Sequence, residues 1–66
     1  MDGISWTDLN LDEQRAIALL ADGLPADSCD PVALLTLRRI GFVRGFRLTP
    51  AGEQLLSAAV RSAFAA

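Results

Sequence analysis

The sequence predicts a mainly α-helical domain in which two helices are followed by a minimal two-stranded β-ribbon and a third helix. Apolar residues recur at helical spacing in three segments that each begin with a capping residue, and the pattern between the last two segments changes to alternation. With 66 residues, 52% of them hydrophobic, the chain suffices for one small folded domain. We expect that domain to span residues 1–66, with residues 1–9 as a lead-in segment whose Trp6 anchors on the core.

The first helix is predicted to start at an N-cap and to stop at a glycine. Asn10 is a good N-cap, and Glu13 stands where a capping box requires an acid. Gly23 can end the helix in the left-handed conformation, with Leu24 folding back on Leu19. The helical spacing predicts a buried stripe of Ala16, Ile17, Leu20, Ala21 and Leu24.

The second helix is predicted to use the same devices. Asp30 caps it, Pro31 takes its first position and Gly41 ends it. The residues expected to face the core are Leu34, Leu37 and Ile40. The sequence leaves open whether residues 24–30, which connect the two helices, hold a helical turn.

Alternation after Gly41 predicts the ribbon, in which Gly45 lets the chain reverse tightly. An isolated ribbon of two strands is only marginally stable in water, so we expect it to pack against the helices. The residues predicted to point inward are Phe42, Phe46 and Leu48.

The third helix is predicted to begin with Thr49 as cap and Pro50 at the first position. Its apolar stripe is long for so small a domain, and Phe64 extends it further. We expect part of the stripe to serve as core and part as the face of a homodimer. The residues of that dimer face are Leu55, Leu56, Ala59, Val60 and Ala63.

Charge is distributed unevenly along the chain. Residues 1–30 carry seven acidic residues and one arginine, a local charge of −6, whereas residues 31–66 carry five arginines and one glutamate, a local charge of +4. The net charge is −2. Four of the arginines lie within ten residues: Arg38, Arg39, Arg44 and Arg47. A chain of this polarity can present one basic face despite its acidic balance.

The composition argues against an enzyme. Histidine, lysine and tyrosine are absent, which removes most general acid–base and Schiff-base chemistry. Cys29 has no histidine to activate it, and the nearby Asp27 and Asp30 disfavour its thiolate. The spacing of these three residues fits neither a zinc site nor a calcium loop. We expect no catalytic residue, no metal and no cofactor.

One stretch, residues 37–56, carries a pattern typical of a known family. The matching residues are Leu37, Gly41, Phe42, Val43, Leu48, Thr49, Gly52, Leu55 and Leu56. In this order the chain resembles the winged-helix regulators of bacteria, especially the MarR and PadR types. The resemblance implies a recognition helix that ends at Gly41. On the nucleic-acid hypothesis, Arg38 and Arg39 end this groove-facing helix, and Arg44 and Arg47 bind phosphates from the ribbon. Thr36 would then face base edges, with Val32 as a further candidate.

The chain departs from this family in two places. Residues 24–30 are too few for the positioning helix that lies between the first helix and the recognition helix. The wing is reduced to a very short ribbon around Gly45. The predicted scaffold is therefore a reduced winged helix, and DNA binding does not follow from the scaffold alone.

Two functions from different classes stay open for this non-catalytic domain. The first is a small DNA-binding transcriptional regulator. The second is a protein–protein interaction or dimerisation domain whose arginines form a solvated rim, offset the helix dipole or pair with acids. We expect no membrane partner, since no apolar run has membrane-spanning length. The lack of a recognisable signal sequence and the single cysteine predict a cytoplasmic location.

Overall fold

The structure, a computed structural model, describes residues 4–65. Its elements in chain order are α1 (Leu11–Ala21), α2 (Pro31–Arg39), β1 (Val43–Arg44), β2 (Arg47–Leu48) and α3 (Pro50–Ala65). The two strands pair antiparallel, and single 3₁₀ turns stand at Trp6–Asp8 and Ala26–Ser28. The predicted order of helix, helix, ribbon and helix is confirmed.

Helix α1 begins and ends through local hydrogen bonds that the sequence predicts. The Asn10 side chain accepts from the Glu13 amide at 2.8 Å, and the Glu13 carboxylate accepts from the Asn10 amide at 2.9 Å. This pair is the capping box. At the other end Gly23 has φ 85°, and the Leu24 amide donates to the Leu19 carbonyl at 3.0 Å. The predicted Schellman ending is confirmed.

The connection between α1 and α2 holds one turn of 3₁₀ helix, Ala26–Ser28, which answers the question that the sequence left open. Ala26 and Cys29 are buried in the core. The Cys29 sulfur lies 3.8 Å from the Ala16 carbonyl oxygen. Burial raises the pKa of the Cys29 thiol, so the group stays protonated at neutral pH.

Helix α2 repeats the design of α1. The Asp30 carboxylate accepts from the Ala33 amide at 2.9 Å, and Pro31 occupies the first helical position. At the other end Gly41 has φ 89°, and the Phe42 amide donates to the Leu37 carbonyl at 2.9 Å. Both predicted helix boundaries are confirmed.

The core lies where α1 and α2 meet the ribbon and α3. Ile17 and Leu37 are its fully buried centre, and the half-buried Trp6 packs against it as predicted. Leu24 was predicted to belong to the buried stripe of α1, together with Ala21, and this is wrong. Leu24 is 43% exposed and Ala21 is exposed, because α1 ends before the glycine turn and the chain then leaves the helix axis.

The junction between the ribbon and α3 is tied back to the end of α2. The Thr49 hydroxyl donates to the Gly41 carbonyl at 2.7 Å and accepts from the Gly52 amide at 3.2 Å. The Thr49 amide donates to the Phe42 carbonyl at 3.0 Å. A Cβ at Gly52 would overlap that same Phe42 oxygen. Thr49 therefore caps α3 as predicted, and the absence of a side chain at Gly52 lets the two backbones touch.

Candidate nucleic-acid interface

The ribbon is a hairpin whose turn residues are Gly45 and Phe46. Gly45 has φ 63°, the left-handed conformation that the tight reversal needs. Arg44 and Arg47 are directly paired across the strands. Val43 is only 2% exposed, and since successive side chains of a strand alternate in direction, Arg44 points away from the core. Both arginines are exposed and stand on the same face of the ribbon.

The prediction that Phe46 points inward is wrong, because its side chain is 72% exposed. The inward positions of the ribbon are taken by Val43 and Leu48, which are Cα partners in the register. With strands of two residues each, only one pair can face the core, and Phe46 falls in the turn beyond it. The other two predicted inward residues, Phe42 and Leu48, are half-buried and pack against the core.

Arg38 connects the last turn of α2 to the tip of the ribbon. Its Nε donates to the Gly45 carbonyl oxygen at 3.0 Å. Its guanidinium carbon lies 5.8 Å from the centroid of the Phe46 ring, within the range of a cation–π interaction. Arg38 thus orients the turn and supports one face of the aromatic ring.

The outer face of α2 mixes apolar and basic side chains. Val32 is 70% exposed and Leu35 is 50% exposed, and Arg39 follows them on the same side at helical spacing. Thr36 is half-buried, and its hydroxyl donates to the Val32 carbonyl at 3.2 Å. The Thr36 hydroxyl proton is therefore engaged within its own helix.

Acidic side chains lie near two of the arginines. Asp27 lines a shallow depression with Arg38 and Phe46, and Glu53 lines another with Arg47. The ribbon packs at the C-terminal end of α1, whereas Glu13 is hydrogen-bonded at the start of that helix. Asp27 and Glu53 are therefore carboxylates that border the same depressions as Arg38 and Arg47.

The residues of the predicted dimer face occupy two different environments. Leu55 and Leu56 are half-buried and pack against the core, and Ala59 is also half-buried. Val60 is 46% exposed, and Ala63 is exposed. Phe64, one turn beyond Val60, is 86% exposed. The exposed apolar surface of α3 consequently lies on its second half.

One stripe of α3 combines these exposed residues with both of its charges. At spacings of three and four residues it contains Glu53, Leu56, Ser57, Val60, Arg61 and Phe64. Its last five members line one shallow depression. Glu53, Ser57 and Arg61 are not among the residues predicted from sequence, because apolar periodicity alone does not select polar positions. Their spacing of four residues is the signal in the sequence that indicates a shared face.

Within residues 4–65 no group of three or more His, Cys, Asp or Glu side chains is placed to hold a metal ion. Across the same residues, none of the helices has the length and apolar character needed to span a membrane.

No protein-family model, curated protein or solved structure matches the chain.

Proposed function

We propose that this chain is a non-catalytic interaction module whose ribbon edge binds the phosphate backbone of nucleic acid. The observation that carries the proposal is the direct pairing of Arg44 with Arg47 across the ribbon. Arg38 and Arg39 add two exposed guanidinium groups at the adjoining end of α2. The resemblance to winged-helix regulators agrees with a basic ribbon beside a basic helix end.

Two like charges placed opposite each other weaken a ribbon rather than stabilise it. The ribbon has only two residues in each strand, so it has little stability to lose. Phosphates would relieve the repulsion, since each guanidinium can bind a phosphate through two parallel hydrogen bonds. A solubilising rim explains charge on the ribbon but does not require that both positions be arginine.

Salt dependence is the direct test of this proposal. If four phosphates are neutralised, affinity for a short labelled oligonucleotide should fall on the order of 100-fold between about 50 and 200 mM salt. Replacing Arg44 by Ala should lower the slope of log affinity against log salt by about one. Arg15→Ala, which removes an exposed arginine from α1, is the matched control and should leave the slope unchanged. A slope near zero for the unmodified chain would rule the proposal out.

The second candidate function is association through α3, with a second copy of the chain as partner. Val60 and Phe64 offer an apolar surface that the domain itself does not cover. An antiparallel pair of α3 helices centred on Ser57 brings Glu53 of one copy opposite Arg61 of the other, because each lies four residues from the centre. A two-fold interface requires this kind of self-complementarity.

Charge exchange tests the antiparallel register. Glu53→Arg or Arg61→Glu alone places like charges opposite each other and should weaken self-association several-fold in sedimentation equilibrium. The double variant restores opposite charges with their order reversed, so it should regain the original affinity. Equal behaviour of all four proteins would exclude this register.

A cytoplasmic location fits this proposal, and the single cysteine, free and buried, supports it because it forms no disulfide within the chain.

A further inference from the structure

Phe46 is an aromatic side chain at the tip of a basic ribbon, and the domain leaves 72% of it exposed. A single exposed apolar residue needs no explanation by itself. The surroundings of Phe46 distinguish it. Arg38 lies 5.8 Å from the ring centroid, and the turn that carries the ring connects Arg44 directly to Arg47.

We infer that the ribbon tip binds single-stranded nucleic acid, with an unpaired base stacked on the open face of Phe46 and the neighbouring phosphates on Arg44 and Arg47. This inference rests on the proposed function and specifies its ligand. Aromatic rings that carry a base, next to arginines that follow the backbone, are the two parts that single-strand recognition requires. Stacking also tolerates any sequence, since every base has a π-face.

The position of Arg38 favours stacking on one defined face of the ring. Its guanidinium occupies one side of Phe46, and its Nε is fixed to the Gly45 carbonyl at 3.0 Å. The side chain as a whole is 72% exposed, and it borders a depression that Leu24 and Glu53 also line. A base stacked on the face away from Arg38 would place the ring between the base and the cation, and the cation would attract the polyanion.

The exposed ring at the ribbon tip favours a single strand over a duplex. A duplex keeps the faces of its bases covered by their stacked neighbours and presents only base edges in its grooves. In a single strand the base faces are accessible, so the ring does not have to enter a groove. Phe46 can therefore contact a base in a single strand without distorting a helix.

The sequence alone disfavours this reading, because Phe46 is predicted there to belong to the core. The register of the ribbon removes that objection: Val43 and Leu48 fill the inward positions, and Phe46 is free to act outside. Phe42 keeps its place against the core and is not available for stacking.

The test compares a labelled oligothymidylate of about twelve nucleotides, a length within the span of known single-strand sites, with a duplex of equal length at low salt. Phe46→Ala should lower affinity for the single strand at least about tenfold and leave affinity for the duplex unchanged. Phe46→Leu keeps an apolar side chain without a π-face and should lose affinity to a similar degree. Phe46→Trp should bind as well as the unmodified chain or better.

The results separate this inference from the proposed function. If Phe46→Ala binds the single strand normally while Arg44→Ala weakens it, stacking is excluded and phosphate binding stands. If the unmodified chain binds neither oligonucleotide, both proposals fail. Circular dichroism confirms that the variants are folded, which is expected because the Phe46 side chain lies outside the core.

Discussion

The tip of the ribbon and the second half of α3 each expose a phenylalanine, yet their surroundings suit different partners. Phe46 is 72% exposed and Phe64 is 86% exposed. Around Phe46 stand the guanidinium of Arg38 and the paired Arg44 and Arg47, with Asp27 and Glu53 lining the adjacent depressions. Around Phe64 the helix presents mainly apolar and small side chains. Exposure alone therefore does not identify a partner, whereas the neighbouring charges narrow the choice.

Each surface also responds to solution conditions in its own way. Binding through arginines and phosphates weakens steeply as salt rises, because it releases condensed counterions. Burial of an apolar helix face depends little on salt and is proportional to the area removed from water. The Glu53–Arg61 pairs add only a small salt dependence to self-association, so a steep response to salt distinguishes the ribbon from α3 in one preparation.

The largest effect is expected from reversing the charge of the ribbon. The double variant Arg44→Glu, Arg47→Glu replaces two phosphate-binding groups by two repelling ones, so nucleic-acid affinity should fall by more than about 100-fold at low salt. Fluorescence anisotropy measures the loss. Self-association through α3 should remain unchanged in the same variant, and a parallel loss of both activities would show that the two surfaces are not independent.

Gly52→Ala should loosen the junction that joins the two regions. The added methyl group overlaps the Phe42 carbonyl oxygen and crowds the Leu48 side chain. Overpacking of this kind typically lowers the free energy of unfolding by about 1–3 kcal/mol. Urea unfolding measures the change, and Gln54→Ala, an exposed site on the same helix outside the proposed dimer surface, is the control. Equal stability of the two variants would mean that the backbone at the junction can shift to accommodate the methyl group without lowering the free energy of unfolding.

Phe64→Ala should weaken self-association by about tenfold, since burial of an aromatic side chain is the main apolar gain at that end of α3. Stability of the monomer should barely change, because Phe64 is exposed. Sedimentation equilibrium measures the dissociation constant. An unmodified chain that stays monomeric at high concentration, like the variant, would contradict association through this surface.

The smallest effect is expected at a site remote from both surfaces. Asn10→Ala removes the hydrogen bond to the Glu13 amide and should lower the free energy of unfolding by about 1 kcal/mol. Thermal unfolding detects such a change. Affinity for nucleic acid and the self-association constant should match those of the unmodified chain, and any loss of either would reveal a coupling that the fold does not suggest.

The helix boundaries could be predicted from sequence because they depend on neighbours in the chain. Asn10 and Asp30 bond to amides three residues away, and Gly23 and Gly41 adopt conformations that side chains resist. Thr49 also caps a helix locally. None of these interactions needs knowledge of what packs against the helix.

The orientation of the ribbon could not be predicted in the same way. Alternation along residues 42–48 fits two registers, and in a strand of two residues a shift of one position exchanges inside and outside. Packing against α2 selects the register in which Val43 is buried, and that places Phe46 in the turn. The sequence therefore predicts the arginines of the candidate site, but it does not predict that Phe46 is exposed beside them.

The most direct test of two distinct surfaces is an NMR titration of isotope-labelled protein with oligothymidylate at low salt. The expected result is a set of amide shifts over residues 38–47 that added salt reverses, while signals from residues 56–64 respond to protein concentration alone. Shifts confined to residues 56–64, or no shifts at all, would contradict the assignment of the ribbon to nucleic acid.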